Sequence, residues 1–198
     1  MEGGRGKGEN PISILHSPLS ILHSRRAVFL DRDGVLNRAF IHDDGKTHPP
    51  ASPDELEILP GVVQACKELR QAGFLLIVVT NQPDVARGAQ RQEVVEAIND
   101  VLCCQVHVDD VRVCYHDDPD DCACRKPRPG LLLEAARVWG IDLANSFMVG
   151  DRWKDIEAGR RAGCKNVLVE RAYSEAEQSR PEFRAGLLAE AVDWILKQ

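Results

Sequence analysis

The stretch from Ala27 to Asn37 constrains the fold of this chain more than any other. Its first four residues, Ala27–Leu30, form an apolar run that predicts a short strand buried on both faces. Asp31 and Asp33 follow, and because positions i and i+2 of an extended chain point to the same side, their carboxylates converge beyond the strand end. Two such carboxylates suit a hard divalent cation such as magnesium, and one of them can serve as a nucleophile. A strand-end turn with two solvated acids is the alternative.

A second apolar run predicts that the strands are parallel. Phe74–Val79 follows a segment with helical spacing of its apolar residues, which runs from Gly61 to Gly73. A buried strand, a helix and another buried strand make a βαβ unit and imply a parallel sheet. Thr80 and Asn81 come directly after the second run, so they lie at the sheet edge where such folds bind ligands. They either hydrogen-bond a phosphoryl group there or begin a polar loop.

The remaining chain continues the alternation of helices and strands. Apolar spacing predicts strands over 111–115, 146–150 and 166–169. It also predicts helices over 90–102 and 131–139, a third helix that ends at Ala162, and a C-terminal helix with an apolar face formed by Leu188, Ala191, Val192 and Ile195. Arg38 to Glu57 reads as a loop over the strand ends. Residues 1–25 repeat Ser-Ile-Leu-His-Ser and are predicted to be a disordered extension of a single domain that spans residues 26–198.

Four potential metal ligands lie within eleven residues: Cys114, His116, Cys122 and Cys124. Three thiols and an imidazole match a tetrahedral zinc site, and four protein ligands make such an ion structural because no position is left open. Chance clustering is the alternative. This crowding argues against a disulfide framework and for a reducing compartment, so we expect a cytoplasmic protein.

The overall composition excludes some classes of partner. The chain has 198 residues and a formal net charge of -6, which argues against nucleic acid because phosphate-backbone binding requires a basic face. No apolar run approaches the ~18 residues typical of a membrane span. We therefore expect a soluble monomer with a small-molecule substrate, no nucleic-acid partner and no membrane partner.

Arg125 and Lys126 follow the cysteine cluster directly. A metal-clamped loop would hold the two cations against a phosphate, which arginine grips with two hydrogen bonds and lysine attracts as a point charge. Such cations neutralise charge that develops in phosphoryl transfer. The alternative is a basic loop that balances the neighbouring aspartates.

The segment Asp31-Arg32-Asp33-Gly34-Val35-Leu36-Asn37 resembles the first motif of the haloacid dehalogenase-like (HAD) phosphatases, D-x-D-G-x-x-N. The resemblance implies that Asp31 is the nucleophile, that Asp33 is the general acid and base, and that Asp31 and the main-chain carbonyl of Asp33 bind magnesium. Three further stretches resemble the later motifs: Thr80 to Gly88, in which Thr80 contacts the phosphoryl oxygens; Lys126, the phosphate-binding lysine; and Gly150 to Asp155, in which Asp151 completes the magnesium shell. Asp155 either holds neighbouring groups in place or caps the following helix.

The cysteine cluster and the Cys-Arg-Lys-Pro that ends it resemble the zinc loop of the bacterial heptose bisphosphate phosphatases and of the related histidinol-phosphate phosphatases. This implies a Rossmann-like α/β HAD fold without a cap domain, with residues 39–42 lining the substrate site and Arg125 contacting a substrate phosphate. The activity implied is magnesium-dependent removal of the 7-phosphate from heptose 1,7-bisphosphate, for cell-surface polysaccharide. Hydrolysis of histidinol phosphate and a non-catalytic zinc-stabilised binding module are the alternatives.

Overall fold

The computed structural model describes residues 24–41, 47–173 and 180–198. The strands in chain order are β1 (Ala27–Leu30), β2 (Phe40–Ile41), β3 (Thr47–His48), β4 (Leu75–Asn81), β5 (Asp110–Cys114), β6 (Phe147–Gly150), β7 (Lys165–Val169) and β8 (Phe183–Ala185). Six of them form one parallel sheet in the order β5-β4-β1-β6-β7-β8, and β2 pairs with β3 in an antiparallel hairpin. The Rossmann-like α/β prediction is confirmed.

In the described part of the chain, five α-helices cover the two faces of the sheet: α1 (Val62–Gln71), α2 (Gln92–Val106), α3 (Gly130–Trp139), α4 (Trp153–Ala162) and α5 (Leu188–Ile195). Successive side chains of β1 alternate between the layers, since Val28 and Leu30 pack with α1, α2 and α5, whereas Ala27 and Phe29 pack with α3 and α4. All four side chains are fully buried, and burial of the larger three, Val28, Phe29 and Leu30, contributes about 1.5–3 kcal/mol each to folding. Burial on both faces explains why the strand is a continuous apolar run.

The structure contains strands and helix turns that the sequence patterns do not predict. β8 extends the sheet beyond the five predicted strands, and the β2–β3 hairpin lies within the predicted 38–57 loop. Strands of two or three residues are too short to show an alternation of apolar and polar residues, so the sequence pattern does not predict them. α2 spans Gln92–Val106, so it continues beyond the end predicted at residue 102 and includes Cys103 and Cys104.

Residues 1–23, most of the predicted extension, lie outside the described residues, as does His42. Arg25 is joined to the domain, because its amide donates to the carbonyl of Gly140 and its carbonyl accepts from the amide of Asp142. In the described part of the chain, the short hairpin, a single 3-10 turn (Pro53–Glu55) and α1 are inserted between β1 and β4, and none of them forms a cap domain. No helix among these residues is long and apolar enough to cross a membrane.

Candidate active site

The carboxyl ends of three adjacent strands bring the predicted site residues together. β1 lies between β4 and β6, with Leu30 level with Val78 on one side and with Val149 on the other. Asp31 therefore emerges beside the ends of both neighbours, and its amide donates to the carbonyl of Val149 at 2.9 Å. A cleft of about 450 Å³ opens there, and it is lined by predicted site residues that include Asp31, Asp33, Thr80, Asn81, Arg125 and Lys126.

Lys126 forms the charged centre of this cleft. Its ammonium lies 2.8 Å from Asp31 Oδ1 and 2.6 Å from Asp155 Oδ1, and it also donates to the carbonyl of Val79 at 2.8 Å. Burial lowers the pKa of Lys126, but the carboxylates of Asp155 and Asp31 outweigh burial and raise it overall. Lys126 thus remains a buried cation directly beside the predicted nucleophile.

Asp155 has both of the roles that the sequence left as alternatives. One of its oxygens contacts Lys126, and the other accepts from the amide of Arg152 at 3.0 Å, at the start of α4. A carboxylate at a helix N-terminus also interacts favourably with the helix dipole. Asp155 therefore anchors α4 and holds Lys126 in place.

Three buried carboxylates are suited to a hard cation. Carboxylate oxygens of Asp31, Asp151 and Asp155 lie within 4.8 Å of one another. Burial raises the pKa of Asp31 to about 6, and burial together with the charges of Asp31 and Asp155 raises the pKa of Asp151 well above its usual value. A divalent cation would favour the ionised carboxylates, and oxygen ligands are those that magnesium prefers.

The turn after β1 fits closely against this carboxylate cluster. Gly34 has φ +93°, and a Cβ added there would overlap Asp151 Oδ2 and the hydroxyl of Tyr173. Tyr173 also hydrogen-bonds Asp151, and Arg171 donates to the carbonyl of Gly34 at 2.7 Å. The residues present thus fit a magnesium site at this position.

Asp33 lies in a separate network of donors. Its carboxylate accepts from Arg32, from Asn37 Nδ2 at 2.9 Å and from Gln82 Nε2 at 2.7 Å. Gln82 Nε2 also donates to Thr80 Oγ1 at 2.9 Å, which links the network to the end of β4. The side chain of Asp33 is 18% exposed, so it reaches the cleft while three neighbours fix its orientation.

Asn81 makes its observed contacts with the protein main chain. Its Oδ1 accepts from the amide of Lys126 and its Nδ2 donates to the carbonyl of Lys126, both at 3.1 Å. This pair of hydrogen bonds fixes the backbone of the lysine loop against the end of β4. The sequence predicts Asn81 as a substrate contact, and the structure adds this positioning contact.

Cys114, His116, Cys122 and Cys124 form one compact cluster at the end of β5. Their sulfur atoms lie 3.2–3.7 Å apart, and His116 Nδ1 lies 3.3 Å from Cys124 Sγ. Three thiols and an imidazole are a donor set for tetrahedral zinc, and zinc–sulfur bonds of about 2.3 Å would place the sulfur atoms about 3.8 Å apart, slightly further than they lie here. None of these thiols forms a disulfide.

Two aspartates of the same loop hold arginines. Arg125 Nε donates to Asp118 Oδ1 at 2.6 Å and its Nη1 to the carbonyl of His116 at 3.2 Å. Asp117 accepts two hydrogen bonds of 2.7 Å from Arg87, which lies on the loop after β4. The paired guanidinium holds the pKa of Asp117 down at about 2. These aspartates therefore connect the cysteine loop to the cleft.

A protein-family profile described as HAD-hydrolase-like matches residues 123–194. The D-glycero-beta-D-manno-heptose-1,7-bisphosphate 7-phosphatase of Rhodopseudomonas palustris is 38% identical over 158 residues, which cover 74% of this chain and 84% of that protein. The chain belongs to this phosphatase family. The family member from Escherichia coli (strain K12) is 36% identical over 86% of this chain and 87% of its own length.

Solved structures agree with the assignment to the heptose bisphosphate phosphatase family. The D,D-heptose 1,7-bisphosphate phosphatase of B. bronchiseptica, complexed with magnesium and phosphate, matches with a TM-score of 0.75 and 35% identity, covering 87% of this chain and 98% of that one. A HAD-like phosphatase from Mesorhizobium loti matches with a TM-score of 0.72 and 30% identity, covering 88% and 87%.

Three residues of the site network are not predicted by the sequence patterns: Arg32, Gln82 and Asn99. Arg32 was visible only as the variable position of the first motif, and Gln82 as the third residue of the second motif. Asn99 interrupts the apolar stripe of α2 between Val95 and Leu102, and it is only 6% exposed. A polar residue on the buried side of a helix was the signal that could have found it.

Proposed function

We propose that this chain is a magnesium-dependent phosphatase that removes the 7-phosphate of D-glycero-D-manno-heptose 1,7-bisphosphate, in heptose supply for cell-surface polysaccharide. The observation that carries the proposal is the buried contact between Lys126 and Asp31 at the base of the cleft, 2.8 Å from nitrogen to oxygen. A cation fixed beside a carboxylate can hold the phosphoryl group that the carboxylate attacks. The substrate comes from the names of the family members that match most of the chain.

In the proposed mechanism, the carboxylate of Asp31 attacks phosphorus in line with the bond to the leaving oxygen. A bond forms between Asp31 and phosphorus, the bond to the sugar oxygen breaks, and Asp33 gives its proton to that oxygen. Asp33 then takes a proton from a water molecule whose oxygen bonds to phosphorus; the bond between Asp31 and phosphorus breaks, which releases inorganic phosphate and restores the carboxylate of Asp31. The donors around Asp33 keep its carboxylate oriented through both half-reactions.

The cationic side chains of the cleft would neutralise the charge of the phosphoryl oxygens. Lys126 and the hydroxyl of Thr80 are proposed to contact these oxygens directly. Asn81 would contribute by fixing the backbone of Lys126, and we propose that its side-chain amide also hydrogen-bonds the phosphoryl group. Arg125, whose side chain is 11% exposed in the cleft, is proposed to favour a doubly phosphorylated substrate. These roles are testable one residue at a time.

Two metal ions complete the proposal. Asp31, Asp151 and the main-chain carbonyl of Asp33 would hold magnesium, which supplies charge neutralisation at the phosphoryl group. Cys114, His116, Cys122 and Cys124 would hold a structural zinc. We also propose a cytoplasmic location, because a site of three thiolates requires a reducing compartment. The monomeric state stays a prediction.

The test is release of phosphate from heptose 1,7-bisphosphate and from histidinol phosphate, measured side by side with magnesium. Asp31→Asn removes the nucleophile, and Asp193→Asn makes the same chemical change at an exposed position of α5 as a matched control. We expect preference for the bisphosphate, loss of turnover in Asp31→Asn and full turnover in Asp193→Asn. Preference for histidinol phosphate would refute the substrate, and turnover by folded Asp31→Asn would refute the mechanism.

A further inference from the structure

Arg32 is among the largest fully buried side chains of the protein, although it carries a charge. Burying an arginine is costly unless its charge is paired and its hydrogen bonds are satisfied. Among the described residues its salt bridge is with Asp33, with Nη2 2.9 Å from Oδ2. A buried cation placed against the predicted acid and base therefore requires an explanation.

The direction of Arg32 follows from the strand before it. Val28 and Leu30 face the layer that contains α2, and Arg32 lies two residues further along the same side. Its Nη1 donates to Asn99 Oδ1 at 2.8 Å, across 67 positions of sequence, while Nε and Nη2 donate to Asp33. The planar guanidinium thus spans from Asn99, on the buried face of α2, to the carboxylate of Asp33.

Arg32 supplies more of the contacts to Asp33 than the other donors do. Its Nε lies 3.2 Å from both carboxylate oxygens, in addition to the 2.9 Å contact of Nη2. Asn37 Nδ2 and Gln82 Nε2 make one contact each and share their donors with Arg38 and Thr80. Among the described residues, Arg32 joins Asp33 to the helix α2, whereas Gln82 joins it to the end of β4.

We propose that Arg32 is a positioning residue that fixes the carboxylate of Asp33 for proton transfer, and that Asn99 of α2 acts through it. The inference rests on the proposed function in that Asp33 is taken as the general acid. The guanidinium is suited to this task because its donors lie in one rigid plane, whereas a lysine at the same position offers a single flexible point charge. Arg32→Lys keeps the positive charge and removes the planar set of hydrogen-bond donors.

The test separates positioning of the acid from general damage. A phosphate ester of an alcohol needs a proton on its leaving oxygen, whereas p-nitrophenolate leaves without one. Because kcat/KM reports the steps up to phosphoryl transfer, misplacement of Asp33 lowers it for the sugar phosphate much more than for p-nitrophenyl phosphate. We expect Arg32→Lys to lower kcat/KM about 10- to 100-fold for heptose bisphosphate and less than about threefold for p-nitrophenyl phosphate.

Asn99 variants repeat the test without changing the loop at the sheet edge. Asn99→Ala removes the acceptor of Arg32 and should give the same selective loss, smaller in size, about 3- to 10-fold. Asn99→Asp retains an acceptor of the same shape and should keep the wild-type ratio of the two substrates. Asn145→Ala, at an exposed site away from the cleft, is the control for loss of an asparagine side chain.

The double variant Arg32→Lys with Asn99→Ala should be no worse than the more damaged single variant, because both act on one contact chain. Equal decreases in kcat/KM for the two substrates would overturn the inference, and so would additive decreases in the double variant. If Arg32→Lys does not fold, the comparison of Asn99→Ala with Asn99→Asp decides the question. If the wild type prefers another sugar phosphate, the proposed substrate is refuted. The inference on Arg32 is then tested by comparing that sugar phosphate with p-nitrophenyl phosphate. A wild type inactive on every monoester would overturn both.

Discussion

Gly34→Ala adds one methyl group at the point where the turn after β1 meets Asp151. Gly34 has φ +93°, and its added Cβ would overlap Asp151 Oδ2 and the hydroxyl of Tyr173. Gly73 offers a matched control, because it has φ +84° with nothing within 4 Å of an added Cβ. The two substitutions share the strain of a left-handed backbone, and only Gly34→Ala disturbs the carboxylate cluster.

The expected losses differ for this reason. A left-handed conformation costs an alanine about 1–2 kcal/mol, and restriction of the unfolded chain returns about 0.4–1 kcal/mol. Gly73→Ala should therefore lower the free energy of unfolding by about 1 kcal/mol. Gly34→Ala adds overpacking of about 1–3 kcal/mol, and displacement of Asp151 by about 1 Å would lower turnover about 100-fold.

Urea unfolding with and without magnesium, together with phosphate release, checks these values. The stabilisation by magnesium should be retained in Gly73→Ala and strongly reduced in Gly34→Ala, since the latter displaces a proposed ligand. Tyr173→Phe in the Gly34→Ala background tests whether the hydroxyl contributes to the overlap. Equal losses in the two glycine variants, with turnover retained, would refute the reasoning.

Three further results are expected. Cys122→Ser should lower the zinc content below the one ion per chain proposed for the wild type, by elemental analysis, and lower the melting temperature; unchanged zinc would contradict the assigned site. Lys126→Met leaves two buried carboxylates without their cation, so the free energy of unfolding in urea should fall by about 3–5 kcal/mol without magnesium. The decrease should be smaller when magnesium is present, and measuring both conditions checks the prediction. Hydrogen bonds from Arg160 and Arg161 lower the pKa of Glu157 to about 2. The stabilisation by Glu157 should therefore be complete above about pH 4.5 and be lost as the pH falls toward 2, and the difference in free energy of unfolding between wild type and Glu157→Gln, measured across this range, checks it.

The sequence predicts the sheet edge well because burial leaves a direct pattern. Ala27–Leu30 and Phe74–Val79 are apolar on both faces, and the polar residues after them mark the carboxyl ends. The cysteine cluster was equally visible, because its four ligands are close in sequence as well as in space. Local patterns of this kind need no knowledge of tertiary contacts.

The contacts that organise the site are long-range, and sequence patterns carry little information about them. Asn99 meets Arg32 across 67 positions and Lys126 meets Asp31 across 95. Asp155 was predicted near the site, but the choice between capping α4 and holding a neighbour required both of its oxygens to be placed. Such pairings depend on how the layers pack, and no local period reports them.

The cysteine loop connects structural stability to the phosphate site through covalent continuity. Cys114 ends β5 and Cys124 immediately precedes Arg125 and Lys126, so the loop is anchored in the sheet at one end and leads to the buried ammonium at the other. Burying that ammonium beside two carboxylates requires its backbone to be fixed, which Asn81 does from β4. The segment between these two ends has almost no apolar core of its own, and the zinc ion proposed for its cysteines would hold it in place. Removal of the proposed zinc should therefore weaken phosphate binding at Lys126, which a phosphate-binding assay before and after chelation of zinc would measure.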